Sequence, residues 1–170
     1  ILDQPNETNE EHPIKPEIRG NLEFQNVSFE YEKGKPVLKN VSFHAKQGQT
    51  IAILGPTGSG KTSLVHLLAR LYDYQHGSIK VDGIELKEVD KKWLRKHVGL
   101  VLQEPFLFSK TIKENICLAK QSVQEAEIFE AAQMASVHDV IAEFENAKDP
   151  ALDKRGLPPS ADHQQRIAIA

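Results

Sequence analysis

The chain has 170 residues, of which 39% are hydrophobic and 26% charged, and its mean hydropathy of −0.43 is typical of one soluble globular domain. It contains no stretch near the roughly 18 consecutive apolar residues of a membrane-spanning helix, and its single cysteine, Cys117, excludes an internal disulfide framework and a cysteine-based zinc site. The net charge of −3 arises within residues 1–20, whereas the other 150 residues balance 19 acids with 19 bases, which argues against a nucleic-acid partner held by bulk charge.

Residues 1–20 predict an extended, acidic, proline-bearing linker. They contain three prolines and five acids, and they lack a periodic apolar pattern. We expect this linker to follow an upstream domain, and we expect one folded domain over residues 21–170.

An antiparallel pair of strands is predicted next. Apolar positions between 22 and 29 indicate a first strand, and the alternation over residues 37–45 indicates a second. Lys33-Gly34-Lys35 has the composition of a tight turn between them. We expect a small antiparallel β-subdomain over roughly residues 21–49.

The central part of the chain alternates short apolar runs with a helix. Thr50–Leu54 is a predicted strand, and leucines spaced at i, i+3, i+4 and i+7 predict an amphipathic helix over Lys61–Tyr72. Residues 77–83 predict a strand that ends in an Asp-Gly turn. Lys91–His97 predicts a helical turn, and Val98–Leu102 a buried strand.

The second half of the chain is predicted to be helical. Ser122 and Glu125 fit a capping box, and the helix it opens would present Ile128, Ala131, Ala132 and Ala135 on one face. A further helix is expected over about 137–144 and another over 161–170. We therefore expect a helical subdomain from about residue 111 to residue 165.

A phosphate-binding loop joins the strand at 50–54 to the helix that follows. The pattern G-x-x-x-x-G-K-[ST] is met by Gly55, Pro56, Thr57, Gly58, Ser59, Gly60, Lys61 and Thr62. Glycines let the backbone N–H groups approach a polyphosphate, and the helix directs its N-terminal dipole at it. Lys61 is expected to reach the β- and γ-phosphates, and the Thr62 hydroxyl to bind Mg²⁺. The plain alternative is a glycine-rich turn before a helix.

Several motifs in order resemble the nucleotide-binding domain of an ABC transporter. They are LEFQNVSFEY (22–31), VLKNVSF (37–43), the phosphate loop, GSIKVDG (77–83) and VGLVLQEPFLFSKTIKENI (98–116). The run from Gln103 resembles the exporter branch. The resemblance covers about residues 21–170 and implies an α/β fold: a P-loop NTPase (RecA-like) core with an antiparallel β-subdomain and a helical subdomain.

The resemblance implies roles for single residues. Tyr31 would stack on adenine, although it could be an ordinary strand-end tyrosine. Gln103 would contact Mg²⁺ and the attacking water, although it could be a polar cap of a strand. Ser63 would join the loop in binding ATP. Residues 104–109 would meet a transmembrane coupling helix, unless Phe106 and Phe108 are simple core anchors.

The sequence departs from the family at the Leu-Ser-Gly-Gly-Gln signature. Pro159-Ser160-Ala161-Asp162-His163 stands in its place, and only the serine is retained. Ser160 could still cap a helix and donate to the γ-phosphate of an ATP held by a second subunit. Asp162 would repel that phosphate, so we expect this segment to support an ATP sandwich poorly. Residues 157–163 could instead be only a loop and helix cap.

A second departure concerns the groups that activate water. The chain has no apolar strand ending in Asp-Glu, which in the family supplies a Mg²⁺ ligand and the general base, and no histidine in the switch context. The resemblance therefore indicates a domain truncated before the second acidic motif, whose missing strand would leave apolar surface exposed. His66, inside the predicted phosphate-loop helix, is expected to be structural.

The sequence predicts the ATP-binding domain of an ABC exporter, which couples ATP binding and hydrolysis to transport. Its ligands would be ATP and Mg²⁺, and Lys61 and Gln103 would take part in catalysis. Its partners would be a second such domain, in a homodimer or a heterodimer, and a transmembrane domain fused upstream, at the cytoplasmic face of the cell membrane. On its own the chain would be nearly inactive. The alternatives are a soluble ABC-type ATPase without transport, a truncated non-catalytic ATP-binding module and, more distantly, a small-molecule kinase.

Overall fold

A computed structural model describes residues 13–108, 110–120, 122–139 and 161–170. The chain divides into two compact units, Ile1–Gly99 and Leu100–Ala170, which are described separately. None of the helices in these described ranges has the length and apolar character needed to cross a lipid bilayer.

The first unit is built on a four-stranded antiparallel sheet. Its strands are β1 (Leu22–Glu30), β2 (Pro36–Ala45), β3 (His76–Val81) and β4 (Ile84–Glu85), and their order in the sheet is β2-β1-β3-β4. The predicted hairpin and its turn are thereby confirmed, as are the strand near 77–83 and its Asp-Gly turn.

Cross-strand pairs of apolar residues fix the register of this sheet. Phe24 lies opposite Phe43 on β2 and opposite Ile79 on β3, and the two phenyl rings stack with centroids 4.5 Å apart. Phe24 and Ile79 are almost fully buried in the core of the unit. The remaining members of that core are Val27, Phe29, Leu38, Leu64, Leu67, Tyr74, Val81, Leu86, Val89 and Leu94.

Helix α1 (Lys61–Leu68) is shorter than the predicted helix over 61–72. It ends because Arg70 adopts a left-handed conformation, with a φ of 49°. The N–H of Arg70 then donates to the carbonyl of Leu67, and the N–H of Leu71 to the carbonyl of His66, which is the Schellman pattern of a helix C-terminus. Leu71 is consequently 43% exposed and does not continue the apolar face.

The two predicted core strands, Thr50–Leu54 and Val98–Leu102, do not form, so both predictions are wrong for this structure. In the described part of the chain no strand pairs with either segment, and a parallel strand depends on hydrogen bonds to neighbours distant in sequence. Residues 50–54 are accordingly exposed, with Leu54 at 92%, and so are Val101 and Leu102 of the second segment, whereas Val98 is half-buried against the core of the first unit.

The described end of the predicted linker is held against the first unit. Ile14 pairs with the segment around Val89, donating to Glu88 and accepting from Asp90, and the indole Nε1 of Trp93 donates to the carbonyl of Pro16. Trp93 belongs to α2 (Lys91–His97), which confirms the predicted helical turn. Asp90 caps this helix by accepting from the N–H of Trp93.

The α-helices of the second unit with stated bounds are α3 (Ile112–Ile116), α4 (Glu125–Met134) and α5 (Ala161–Ile169), and residues 138–139 are helical as well. The predicted apolar face of α4 is confirmed, because Ala132 and Ala135 pack with Val137 and Ile167 in the core.

The helices of the second unit differ in detail from the predicted ones. Helix α4 begins after Gln124, two residues later than the predicted capping box implies, and there the Glu127 carboxylate accepts from the backbone N–H of Gln124. The helix predicted over 137–144 lies mostly outside the described residues. Helix α3 was not predicted, although Thr111 and Glu114 form a complete capping box at its start.

Candidate nucleotide site

Glycine backbone geometry shapes the loop at residues 55–62. Gly58 and Gly60 have φ values of 81° and 89°, a region that residues with side chains rarely adopt. Gly60 also packs against β2, where an added Cβ would lie 2.7 Å from the Leu38 side chain and 3.1 Å from the carbonyl of Val37. Gly60 therefore sets both the turn of the loop and its close approach to the sheet.

The Lys61 side chain curls back over this loop. Its Nζ donates to the carbonyl oxygens of Gly55 and Pro56, each at 2.8 Å. The ammonium is thus held inside the curve of the loop, next to the first turn of α1, where it can exchange these carbonyls for the oxygens of an anion.

The N-terminus of α1 points its positive dipole end at the same loop. Neither a side-chain cap nor an acidic residue in the first turn neutralises it. Thr62 is exposed in that turn, and its hydroxyl is a hard oxygen donor of the kind that Mg²⁺ prefers. It could supply one ligand to such an ion, with phosphate and water oxygens supplying the others. Ser63, in contrast, is 6% exposed and faces away from solvent.

Tyr31 follows directly on β1 and reaches this helix turn. Its hydroxyl donates to Oγ of Ser63 at 2.9 Å. Its ring meets those of Phe29 and Tyr72 edge-to-face, with centroids 4.7 and 4.9 Å away. Tyr31 remains 47% exposed, so part of its ring is accessible to a ligand beside the phosphate loop.

The structure brings together the sequence-predicted site residues of the first unit. Tyr31 lies beside helix α1, and its partner is Ser63, which follows Lys61 and Thr62 of the phosphate-loop motif in the first turn of that helix. Sequence reasoning missed Tyr72 and the hydrogen bond to Ser63, because no local pattern signals either contact. The remaining predicted residues, Gly55, Pro56, Thr57, Ser59 and Thr62, lie in the exposed loop or the first turn of α1.

Gln103 lies in the second unit, in an irregular and exposed segment. Its backbone carbonyl accepts a 3.0 Å hydrogen bond from Nε2 of Gln165 on α5. Phe106 and Phe108, the candidate core anchors, are instead 77% and 51% exposed, and their rings contact each other edge-to-face. The two rings are therefore not core anchors, and a docking surface at residues 104–109 stays a prediction.

Part of the altered signature is described. Ser160 lies outside the described residues. On α5 the Asp162 carboxylate accepts from Nε of Arg166 at 3.0 Å, and Arg166 also donates to the carbonyl of Ser136. The charge of Asp162 is therefore paired within its own helix. His66, expected to be structural, packs its ring 6.1 Å from that of Tyr72, and its Nδ1 is buried without a described hydrogen-bond partner.

Comparisons with known proteins agree with this geometry. A family model described as ABC transporter matches residues 38–170. The chain is 44% identical over 154 residues to the beta-(1→2)glucan export ATP-binding/permease protein NdvA of Rhizobium johnstonii, covering 91% of the chain and 26% of that protein. It is 43% identical over 151 residues to ATP-binding cassette sub-family B member 6 of Xenopus tropicalis, covering 89% of the chain and 18% of that protein.

Among solved structures, the chain is similar to a bacterial Atm1-family ABC exporter with ATP bound. The TM-score is 0.84 and the sequence identity 35%, over 94% of this chain and 28% of that one. The chain therefore spans between 18% and 28% of the length of these proteins.

Proposed function

Because the chain belongs to the ABC transporter family and is an ATP-binding domain of the exporter type, we propose that its phosphate loop binds the triphosphate of Mg²⁺-ATP and that the protein hydrolyses ATP to drive export across a membrane. The observation that carries this proposal is the position of Lys61, whose ammonium lies in the curve of the loop, 2.8 Å from the carbonyls of Gly55 and Pro56.

Three further residues complete the proposed binding of ATP. The adenine stacks on the accessible part of the Tyr31 ring, and the Thr62 hydroxyl holds Mg²⁺. The Gln103 carboxamide orients the attacking water and contacts Mg²⁺, since an amide offers both an oxygen acceptor and N–H donors. Gly58 and Gly60 let backbone N–H groups face the phosphates.

Turnover needs a general base that these residues do not provide. The 170-residue sequence contains no run of four or more apolar residues that ends in Asp-Glu, and Lys61 and Gln103 bind and orient rather than remove a proton. We propose that these residues by themselves hold ATP and turn it over very slowly. Faster turnover then requires the working protein, in which Mg²⁺ and a general base act together. In that protein, this domain pairs with a second ATP-binding domain at the cytoplasmic face of the membrane, and residues 1–20 join it to a transmembrane domain.

The second candidate is a non-catalytic ATP-binding module. The observation that favours it is Asp162, a carboxylate at the position where the family places a glycine of the signature. A charge about 4 Å from a phosphate costs roughly 4 kcal/mol at an effective dielectric constant of 20. A site weakened in this way can bind ATP without completing the sandwich.

Phosphate release from ATP by the natively expressed, intact protein separates the two candidates. The exporter ATPase predicts steady release that Lys61→Ala abolishes and Lys46→Ala leaves unchanged, since Lys46 is an exposed lysine directly after β2 and not part of the loop at residues 55–62. Firm ATP binding that depends on Lys61, with no release above background, supports the non-catalytic module. The absence of Lys61-dependent binding contradicts both.

A further inference from the structure

The Tyr31 side chain is held at both its hydroxyl end and its ring. Ser63 accepts from the hydroxyl, and Phe29 and Tyr72 fix the ring between them. Phe29 is a core residue, 3% exposed, whose position is determined by the sheet. Tyr72 is different, because it is 47% exposed and contributes little to the core.

Tyr72 is placed by the end of helix α1. The left-handed turn at Arg70 redirects the chain, and Tyr72 then returns over the helix so that its ring packs near His66 at 6.1 Å and Phe29 at 5.9 Å. Its plane stands at 87° to that of Tyr31. No hydrogen bond joins the Tyr72 hydroxyl to another residue in the described ranges. Its main contacts are therefore between rings.

We propose that Tyr72 is a positioning residue for adenine binding: it holds the Tyr31 ring in the orientation in which the base stacks, and so determines how strongly the site prefers a nucleotide to a bare triphosphate. This inference rests on the proposed function, in which Tyr31 stacks on adenine. A perpendicular aromatic neighbour restricts the rotation of the Tyr31 ring, so less conformational freedom is lost when the base binds.

The test compares two probes, Mg²⁺-ATP and Mg²⁺-tripolyphosphate, in calorimetric titrations of the natively expressed, intact protein. Tyr72→Ala is expected to weaken ATP binding about threefold to tenfold, as for the loss of one aromatic pair, and to leave tripolyphosphate binding unchanged. Tyr72→Phe is expected to bind both probes like the wild type, because the ring is retained. Phe129→Ala, which removes an equally exposed ring from the second unit, is the control and should change neither.

A double-variant cycle shows whether Tyr72 acts through Tyr31. If it does, adding Tyr72→Ala to Tyr31→Ala produces no further loss of ATP affinity. Additive losses overturn the proposal, since Tyr72 would then contact the base itself. Equal losses for ATP and tripolyphosphate also overturn it, because they indicate general damage to the fold, as does an unchanged ATP affinity in Tyr72→Ala.

The wild-type titrations separate this inference from the function on which it rests. A wild type that binds neither probe contradicts the proposed ATP site as a whole. A wild type that binds ATP through Lys61 but is indifferent to Tyr72 leaves the ATP site standing and overturns only the positioning role.

Discussion

The backbone N–H of Arg19 donates a 2.7 Å hydrogen bond to Oδ2 of Asp82, joining the end of the linker to the turn between β3 and β4. The same carboxylate accepts from the N–H groups of Gly20 and Asn21 and from the Asn21 side chain. Asp82 has a φ of 52°, a conformation that Asp tolerates better than most residues. One turn residue therefore anchors the linker to the sheet.

Replacing Asp82 by alanine should release this anchor. Four hydrogen bonds to a charged acceptor are lost and an alanine is strained at positive φ, but water can reach the freed N–H groups, so we expect a loss of about 2–3 kcal/mol in the free energy of unfolding. Urea unfolding measures the loss, and amide exchange at Arg19 and Gly20 should accelerate. Glu130→Ala, at an exposed acid on α4, is the control. Unchanged exchange at Arg19 in Asp82→Ala would show that the anchor lies elsewhere.

Acid should remove the same contribution. Desolvation alone would raise the pKa of Asp82, but hydrogen bonds from the N–H groups of Asn21, Gly20 and Arg19 outweigh it and lower the pKa from 3.8 to about 2. Because the folded pKa is depressed, the stabilisation is complete above about pH 4 and is lost as the pH falls toward 2. The stability difference between the wild type and Asp82→Asn should shrink over that interval. A difference independent of pH contradicts this assignment.

Arg70 should contribute to the stability of the fold, although arginine is usually a surface residue, because its side chain is buried here. Its Nη1 donates to the carbonyl of Val89 at 2.6 Å, and both residues are buried. Arg70→Ala leaves that carbonyl without this donor and strains an alanine at positive φ, at a cost of about 2–4 kcal/mol. Arg70→Gly should cost up to about 1 kcal/mol less, because glycine adopts this φ without strain. Equal losses for the two variants would show that the turn carries no strain.

Removing the charge of Asp162 should strengthen ATP-driven association of two such domains. Arg166 pairs with Asp162 and water screens these exposed charges, so only part of the full repulsion remains to be removed. Asp162→Asn should tighten the association in ATP about fivefold, which corresponds to about 1 kcal/mol. Analytical ultracentrifugation with and without ATP measures it, with Glu130→Gln as the control. An unchanged association constant places Asp162 outside the ATP sandwich.

The parts of the fold that depend on residues close together in the sequence could be predicted. The β1–β2 hairpin follows from local alternation and a glycine turn, and the phosphate loop from its spacing. The predictions of strands at 50–54 and 98–102 were wrong, because a short apolar run does not determine whether a partner strand pairs with it. The end of α1 was missed because Arg70, rather than glycine, occupies the left-handed position.

The candidate site shows the same division. Lys61 and Gly60 were identified from a motif whose chemistry is local. The contacts of Tyr31 with Ser63 and Tyr72 join segments distant in sequence, and only the packing of β1 against α1 brings them together. The link from Gln165 to the carbonyl of Gln103 was beyond sequence reasoning for the same reason.

The most direct test of the proposed ATP site is a calorimetric titration of the natively expressed, intact protein with Mg²⁺-ATP, repeated for Lys61→Ala and Lys46→Ala. Since the Lys61 ammonium is the cation held inside the loop, we expect saturable binding to the wild type and to Lys46→Ala, and a loss of at least tenfold in affinity for Lys61→Ala. Equal affinity for ATP in all three proteins would contradict the assignment of residues 55–62 as the triphosphate site.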